Sequence, residues 1–350
     1  MTALVPTPGQ VLERDLELYP DGIILPIDKP YRWTSADVIR KIKWTAGKHF
    51  GKKNIKVGHA GTLDPLATGI LLVCIGKATK LAEELQKHEK EYVAGVSFGA
   101  VTPSYDLEKE ISRTCPLDGI SEETIKRILP GFIGEQMQVA PLFSAKSVDG
   151  VRAYETARKL FKQGIFDDSD NILTASKVVI SELELLSLDR HSPDTGQLDI
   201  CPQAETRLDG GQRTVSEPDR FQQTETGLDK CQQGECRQGV FPPEGLIKGE
   251  CPPGGTHPAG SSLAADGPAG NSRDNRIHVA DISGYELIQT EIRVKCSKGT
   301  YIRALARDLG EAAGSGAFLH SLRRTQVGEF RIEKSLSMDE ALAVLAHPSL

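Results

Sequence analysis

One acidic residue stands out because of the residues around it. Asp64 lies in the glycine-rich segment VGHAGTLDPLATG, between a basic stretch and the apolar run Ile70 to Ile75. Pro65 disfavours a helical conformation at Asp64 and places it in an extended or turn segment. The glycines let a ligand approach the backbone, and His59 supplies a ring for stacking or hydrogen bonding. The pattern fits a catalytic carboxylate, and it also fits an aspartate that only caps a tight turn.

Three further segments place aromatic, cationic and apolar side chains where a cleft could form. In HEKEYVAGVSFG, Tyr92 heads a predicted strand. In VKCSKGTYIRALARDLG, a strand runs through a glycine turn into a helix, and Tyr301 and Arg303 lie at that junction. In GAFLHSLRRTQVG, Leu322 is followed by two arginines. These segments strengthen the catalytic interpretation of Asp64.

Taken together, these segments closely resemble the TruB-type tRNA pseudouridine synthases, which isomerise uridine 55 in the T loop of tRNA. The matching segments occur in the family's order and cover nearly all of the chain outside one polar region. They are DKP at 28–30, GHAGTLDPLATG at 58–69, KEYVAGVSFG at 90–99, APLFSAKSVDGVRAYETAR at 140–158, CSKGTYIRALARDLG at 296–310 and LRRT at 322–325. The resemblance implies an isomerase, a tRNA pseudouridine(55) synthase.

The resemblance also assigns roles to individual residues. Asp64 matches the catalytic aspartate of the family, and Arg303 matches the arginine that forms an ion pair with it. Tyr92 matches the tyrosine stacked under the target uracil, and His59 matches the histidine that supports the T loop. The full set of implied substrate-binding residues is His59, Tyr92, Tyr301, Arg303, Leu322 and Lys29, the last of which has a surface or structural role as an equal alternative.

The implied reaction explains why an aspartate and an arginine are needed. Uridine becomes pseudouridine when the C1′–N1 bond breaks, the base turns and a C1′–C5 bond forms, without gain or loss of electrons. We therefore expect no cofactor and no metal, and the chain has no P-loop. An ionised carboxylate can act as a nucleophile at C1′ or as a base at C2′, and both roles stay open. A neighbouring guanidinium favours the ionised form of a carboxylate.

The polar region at 191–276 differs in composition from the rest of the chain. It holds 9 of the 20 prolines and 13 of the 34 glycines, and its 13 acidic and 8 basic residues give it a charge of −5 out of a total of −6. So polar a segment buries too little apolar surface to offset its ordering entropy. We expect a disordered insertion at 191–276 within a catalytic domain formed by 1–190 and 277–350. Only 25 residues follow Thr325, so we expect no complete PUA domain, the C-terminal domain of many family members.

Two stretches of the remaining chain are purely basic. Seven Lys/Arg and no acid lie between Val38 and Leu63, and five Lys/Arg and no acid lie between Ile292 and Arg307. Clustered positive charge suits a surface that binds a polyanion, although ordinary solvated lysines would give the same pattern. The seven cysteines contain no C-x-x-C pair, so a reduced, cytoplasmic protein is expected.

The elements that must position these residues indicate an α+β protein. The resemblance adds a mixed, mostly antiparallel central sheet flanked by helices. Capping residues predict helices from Thr34 or Ser35 to about Gly47, from Ser121 to about Pro130, and after Ser337; a further helix is predicted at 154–162. Runs rich in Val, Ile and Tyr predict strands at 22–27, 70–75, 92–98, 177–186 and 286–296.

Three other functions remain as alternatives. The chain could be a non-catalytic protein that binds or folds RNA, a relative that depends on a guide RNA, or a hydrolase that uses Asp64 and His59. We favour an enzyme that acts on the T stem-loop of tRNA as a monomer, without a guide RNA and without a membrane. Pseudouridine formed by the protein alone would distinguish this function from the others.

Overall fold

A computed structural model describes residues 3–141, 143, 147–148, 151–152, 175–192 and 277–346. These residues all belong to one unit, which comprises 1–202 and 255–350, while the other unit, 203–254, lies outside the described residues. The helix predicted at 154–162 also lies outside them, as does almost all of the predicted insertion. None of the described helices is long and apolar enough to span a membrane.

The described chain alternates strands with short helices. The helices are α1 (Ser35–His49), α2 (Ala82–Leu85), α3 (Glu122–Ile128), α4 (Ile302–Ala312) and α5 (Met338–Val344). The strands are β1 (Ile23–Lys29), β2 (Val57–Ala60), β3 (Thr68–Ile75), β4 (Lys90–Phe98), β5 (Ala100–Val101), β6 (Arg113–Thr114), β7 (Gly134–Gln138), β8 (Ser147–Val148), β9 (Val151–Arg152), β10 (Ser176–His191), β11 (Leu287–Cys296), β12 (Ala317–Val327) and β13 (Phe330–Arg331).

Nine of the described strands form one sheet. Its main path is β1-β3-β12-β4-β11-β10-β7, with β2 beside β3 and β13 beside β12. Every neighbouring pair is antiparallel except β12 and β3, which run parallel. This is the mixed, mostly antiparallel sheet with flanking helices that was expected, and the predicted fold class is confirmed.

The alternation of side chains along the strands separates two apolar clusters. In β1, Ile23, Leu25 and Ile27 pack with the apolar residues of α1, α4 and α5 in the main core. Ile24 points to the opposite face, where it joins a smaller cluster with residues of β3 and with Ile332. The helices that carry site residues therefore cover one face of the sheet.

The predicted helix starts are confirmed, and two of the ends differ. Thr34 caps α1 in a reciprocal arrangement with Asp37, and Ser337 caps α5 in the same way with Glu340. Helix α1 continues through Gly47 to His49, because an interior glycine costs only about 1 kcal/mol. Helix α3 ends at Ile128 and passes into a short 3-10 turn that contains Pro130.

The strand that precedes the insertion is longer than predicted. The sequence predicts a strand at 177–186, whereas β10 runs from Ser176 to His191. Its whole second half pairs with β11, up to the pair His191–Leu287. The two strands that flank the insertion are therefore hydrogen-bonded neighbours up to the point where it begins.

The loop that carries Asp64 lies beside one edge of β3, where the neighbouring strand changes from β12 to β2. The start of β3, at Thr68 and Gly69, pairs with β12, and its end, at 72–75, pairs with β2. Residues 61–67 connect β2 to β3 across this division. The topology thus places the Asp64 loop at an opening between two strands rather than on a closed surface.

Gly69 is required for the close approach of β12 to this loop. Its φ of +98° lies in the left-handed region, which side-chain-bearing residues rarely adopt. A Cβ atom at this position would lie 2.2 Å from the carbonyl oxygen of Arg324. The glycine of the TLDPLATG segment therefore allows two strands to meet beside the site.

Candidate active site

Asp64 and Arg303 form an ion pair between segments that are far apart in the sequence. Asp64 lies in the loop between β2 and β3, and Arg303 lies in the first turn of α4. Arg303 Nε is 2.9 Å from Asp64 Oδ2, with the arginine side chain 5% exposed and the aspartate side chain 38% exposed. The pair therefore has a buried cation and a carboxylate that solvent or a ligand can reach.

Three more acceptors fix the guanidinium of Arg303. Nη1 donates to the carbonyl of Ser104 at 3.2 Å, and Nη2 donates to the carbonyl of Phe143 at 2.9 Å. Nη1 also lies 3.5 Å from Asp106 Oδ2. Burial disfavours the charged form, but the carboxylates of Asp64 and Asp106 outweigh it and raise the pKa of Arg303. Arg303 is thus a fixed positive charge that orients Asp64.

Asp106 is a member of this network that the sequence analysis did not single out. It is buried and follows Tyr105, whose φ of +54° is unusual for a residue with a side chain. Its Oδ1 accepts from the backbone N–H of Glu108 at 2.9 Å. Burial raises the pKa of Asp106, and Arg303 opposes that shift. Asp106 is thus a second buried acidic group that contacts the guanidinium of Arg303.

Glu108 is a second acidic group close to the network. Burial, followed by the charge of Asp106, raises its pKa to about 7. Its charge also acts on Arg303. The protonation of this side chain therefore changes near neutral pH at the edge of the site.

A small cleft opens beside the Asp64–Arg303 pair. The residues that line it come from the Asp64 loop, the segment after β5, α4 and β12. They are Asp64, Leu66, Ala67, Asp106, Arg303, Leu319, His320, Ser321 and Leu322. Apolar walls and an ionised pair at one end suit a flat, uncharged ring next to a reacting sugar. Leu322 lines this cleft, whereas His59, Tyr92 and Tyr301 are outside its lining.

Arg324 connects Tyr92 and His59 to the Asp64 loop. It is buried in β12, where Nε donates to the carbonyl of Ile70 at 2.7 Å and Nη2 donates to the carbonyl of Gly61 at 3.2 Å. It also hydrogen-bonds to Tyr92, whose pKa is raised chiefly by burial. Burial, followed by the charge of Arg324, lowers the pKa of His59. Arg323 and Arg324 are adjacent in the sequence, but nothing in the sequence pattern indicates that Arg324 is buried.

Arg323 secures the other side of the same loop. Its Nη2 lies 2.7 Å from Asp28 Oδ2 and its Nη1 3.3 Å from Thr68 Oγ1. Asp28 in turn accepts from the backbone N–H of Gly69. The two arginines of LRRT therefore hold the start of β3 from both faces of β12.

Lys29 is not at the surface of the site. It is fully buried, and Nζ donates to the carbonyls of Pro30, Trp33 and Pro65 at 2.9, 2.6 and 3.2 Å. Burial lowers its pKa to about 7, against the charge of Asp64. All three donors of the ammonium are directed at backbone, and one of them holds the residue after Asp64. These bonds fit the structural role that was the alternative to a substrate contact, and the substrate contact stays a prediction.

Tyr301 precedes α4 and is held through its backbone. Its N–H donates to Gln138 Oε1 at 2.8 Å, and its carbonyl accepts from Gln138 Nε2 at 3.2 Å. This pair of bonds joins β7 to the start of α4. Tyr301 therefore helps to place Arg303, which lies two residues later.

Comparison with protein families identifies the chain. The description "TruB family pseudouridylate synthase (N terminal domain)" matches residues 48–206, and "tRNA pseudouridylate synthase B C-terminal domain" matches residues 303–347. A protein from Phocaeicola vulgatus called tRNA pseudouridine synthase B is 37% identical over 92% of this chain and 92% of its own length. The chain belongs to the TruB family. The resemblance in the sequence motifs is confirmed.

Further TruB relatives have the same name and similar coverage. The protein of Bacteroides thetaiotaomicron is 37% identical over 90% of this chain and 89% of its own length. That of Flavobacterium johnsoniae is 32% identical over 92% of this chain and 95% of its own length.

Among solved structures, a chain of a Cbf5-Nop10-Gar1 complex is 18% identical with a TM-score of 0.48. The match covers 98% of this chain and 60% of that one. The chain thus spans about 60% of the length of this structural relative.

Proposed function

We propose that this protein is a tRNA pseudouridine(55) synthase, an isomerase that converts uridine 55 of the T loop to pseudouridine. The observation that carries the proposal is the Asp64–Arg303 pair, in which a fixed, buried guanidinium presents a half-exposed carboxylate to a small cleft. The TruB relatives support the same reaction through their name, tRNA pseudouridine synthase B.

Asp64 is proposed as the catalytic residue. Its carboxylate would attack C1′ of the ribose or remove a proton from C2′, and either step needs the ionised form. Arg303 donates to Oδ2 of Asp64, which fixes that oxygen. Because Arg303 is also bonded to two backbone carbonyls, it cannot follow the carboxylate if Asp64 rotates. The pair therefore presents Asp64 in one orientation.

The remaining site residues are proposed to hold the flipped nucleotide. Leu322 forms an apolar wall of the cleft. Tyr92 lies outside the cleft lining, and its stacking on the uracil is proposed from the family resemblance. Extruding a base from a folded loop costs a few kcal/mol, and aromatic stacking of about 1–3 kcal/mol per base offsets part of that. His59, near the start of the loop, would support the surrounding RNA. Tyr301 acts through its place ahead of Arg303.

The proposal extends to the organisation of the protein and to its partners. Residues 1–190 and 277–350 would form the catalytic domain, and 191–276 would be a disordered insertion. The T stem-loop of tRNA would be the RNA partner, without a guide RNA, and the enzyme would act as a monomer in the cytoplasm.

The decisive experiment uses the purified chain and an unmodified tRNA transcript. After incubation with a chelator and without other RNA, pseudouridine is mapped by its specific chemical adduct and reverse transcription. We expect complete conversion at position 55 and none in a transcript with cytidine at that position. Conversion only after addition of a second RNA would support a guide-dependent enzyme, and tRNA binding without conversion would support a non-catalytic RNA-binding protein.

A further inference from the structure

The outer face of α1 carries an exposed tryptophan among lysines. Trp44 is 57% exposed, and it lies on the side of the helix opposite Ile42, which is buried in the core, because successive residues turn by 100°. Lys48 Nζ is 3.7 Å from the centre of the indole ring, and Lys41 Nζ is 5.8 Å from it. The aromatic ring therefore holds two ammonium groups on one stripe of the helix.

These ammonium groups are available to a ligand. Helix α1 has four Lys/Arg and a single acid, Asp37, which already pairs with Arg40 at 2.6 Å. Among the described residues, no carboxylate lies within ion-pair distance of Lys41, Lys43 or Lys48. The stripe of Lys41, Trp44 and Lys48 thus combines unneutralised positive charge with an exposed aromatic side chain. Positively charged grooves with interspersed aromatic rings are typical of RNA-binding surfaces.

The position of the stripe relative to Asp64 is fixed by the first residue of the helix. The Ser35 hydroxyl donates to the carbonyl of Leu63 at 3.1 Å and accepts from its backbone N–H at 3.0 Å. At 1.5 Å per residue, Trp44 lies about 13 Å and Lys48 about 20 Å along the helix axis from that contact. When one nucleotide of an RNA occupies the cleft, a neighbouring part of the RNA backbone can extend over these distances to the stripe.

We infer that the stripe of Lys41, Trp44 and Lys48 is a second RNA-binding surface, which takes the phosphate backbone of the same RNA that places a nucleotide beside Asp64. Trp44 keeps the two ammonium groups in position for phosphate contact. The identity of that RNA as tRNA rests on the proposed function. A protein partner is less consistent with the stripe, because interface cores are depleted in lysine.

The first test follows Trp44 itself. The chain has two tryptophans, so the signal of Trp44 is the difference between wild type and Trp44→Phe, which retains Trp33. Quenching by neutral acrylamide is measured with the full chain, without and with a saturating tRNA transcript. We expect the quenching constant of Trp44 to fall at least twofold when the RNA is bound. An unchanged quenching constant with bound RNA would overturn the inference.

The second test measures affinity for the transcript as a function of salt. Lys48→Gln should reduce the slope of log K against log salt by nearly one, which is the expected effect of one lost phosphate contact. Lys334→Gln is the control, because Lys334 is also exposed and lies near Ile332, which packs on the opposite face of the sheet. Trp44→Ala should weaken binding about two- to fivefold without lowering the melting temperature. Affinities and slopes equal to wild type in both stripe variants would contradict the inference.

The two proposals can fail separately. If tRNA binds and protects Trp44 but no pseudouridine forms, the proposed function is wrong and the surface stands. If pseudouridine forms while Trp44 stays fully accessible, the surface is wrong and the function stands.

Discussion

The pocket around Arg303 and the outer face of α1 both contain positive charge, but they hold it in different surroundings. Arg303 is buried and fixed by two carboxylates and two backbone carbonyls. Of the lysines beside Trp44, Lys48 is exposed and Lys41 is partly exposed, and neither has a carboxylate partner among the described residues. A buried charge must be paired, so removing a partner has a large effect. An exposed charge interacts weakly and is screened by salt.

This contrast indicates that the pocket serves catalysis, whereas the outer face of α1 serves RNA binding. The pocket depends on the geometry of single atoms, and each of its groups should be indispensable. The α1 face depends on the sum of several charges, and each of its groups should contribute a small, salt-dependent part of the affinity. Substitutions in the two regions should therefore differ in size and also in which quantity they change.

The largest effect should come from Asp64→Asn. The amide retains the shape of the carboxylate but can act neither as a nucleophile at C1′ nor as a base at C2′. We expect single-turnover isomerisation to fall by at least about 1,000-fold while tRNA affinity stays within a few-fold. A variant that keeps more than a small fraction of the wild-type rate would exclude Asp64 as the catalytic residue.

Arg303→Met should reduce both stability and activity. The substitution leaves Asp64 and the buried Asp106 without their cation, and breaking a buried pair costs about 3–5 kcal/mol. Denaturant unfolding measures this loss. The control is Arg293→Met, which breaks an exposed pair with Glu184 and should cost less than about 1 kcal/mol. Equal losses in both variants would show that burial of Arg303 has no energetic consequence.

Glu108→Gln should change how stability depends on pH. Burial, then Asp106, raises the folded-state pKa of Glu108 to about 7 from an ordinary value near 4.5. As pH rises through this window the unfolded state ionises more readily than the folded state, so wild type loses stability that the glutamine variant keeps. The variant should be more stable by about 3 kcal/mol at pH 8 and equal to wild type near pH 4.

Unfolding is measured from pH 4 to pH 8 for this comparison. Glu84→Gln, at an exposed position of α2, is the control for the chemical substitution. A stability difference that is constant across the whole range would mean that Glu108 does not titrate near neutral pH in the folded protein.

Two exposed lysines that follow α1 test whether weak, salt-dependent binding extends beyond this helix. Replacing Lys52 and Lys53 by glutamine should lower the slope of log K against log salt. Lys52 already pairs with Glu17 at 2.9 Å, whereas Lys53 has no carboxylate partner among the described residues. Lys53→Gln should therefore have the larger effect of the two single variants. If both slopes equal that of wild type, these residues are ordinary solvated lysines.

Local patterns predicted the elements of the two regions better than they predicted the contacts between them. Thr34, Ser121 and Ser337 marked helix starts because a cap acts through neighbouring backbone groups. The strands at β1, β3, β4 and β11 were found because their segments are rich in β-branched, aromatic and other apolar residues. Strand β2 is only four residues long and includes a glycine, and β12 carries Ser321, Arg323 and Arg324 among its apolar residues, so neither showed a clear strand pattern.

In the candidate active site, too, contacts between remote segments were harder to predict than local features. Asp64 could be selected from its glycine-rich surroundings, and the family resemblance supplied Arg303 as its partner. Asp106 and Arg324 could not be selected, because their importance depends on being buried beside groups that are remote in the sequence. The number of hydrogen-bond acceptors that a buried guanidinium needs becomes apparent only when α4, the Asp64 loop and the segment after β5 are brought together.

The smallest effect should come from deleting residues 195–273, which belong to neither region. The deletion is designed from composition, since this segment is dominated by proline, glycine and polar residues. His191 and Leu287 are paired neighbours on β10 and β11, so a short connection is sufficient to join the strands. Residues 277–286 are retained because Ala280 and Ile282 are buried beside Leu107.

Shortening the connection severalfold lowers its closure cost by about 1–2 kcal/mol, so the melting temperature should stay the same or rise slightly. Turnover should stay within twofold of wild type, because both strands and the Asp64–Arg303 pair are retained. The alternative is that the segment clamps the RNA, but its charge of −4, from 11 acidic and 7 basic residues, would repel phosphate. Cooperative melting with a large loss of tRNA affinity would support that clamp, whereas loss of cooperative melting would show that the deleted segment belongs to the folded core.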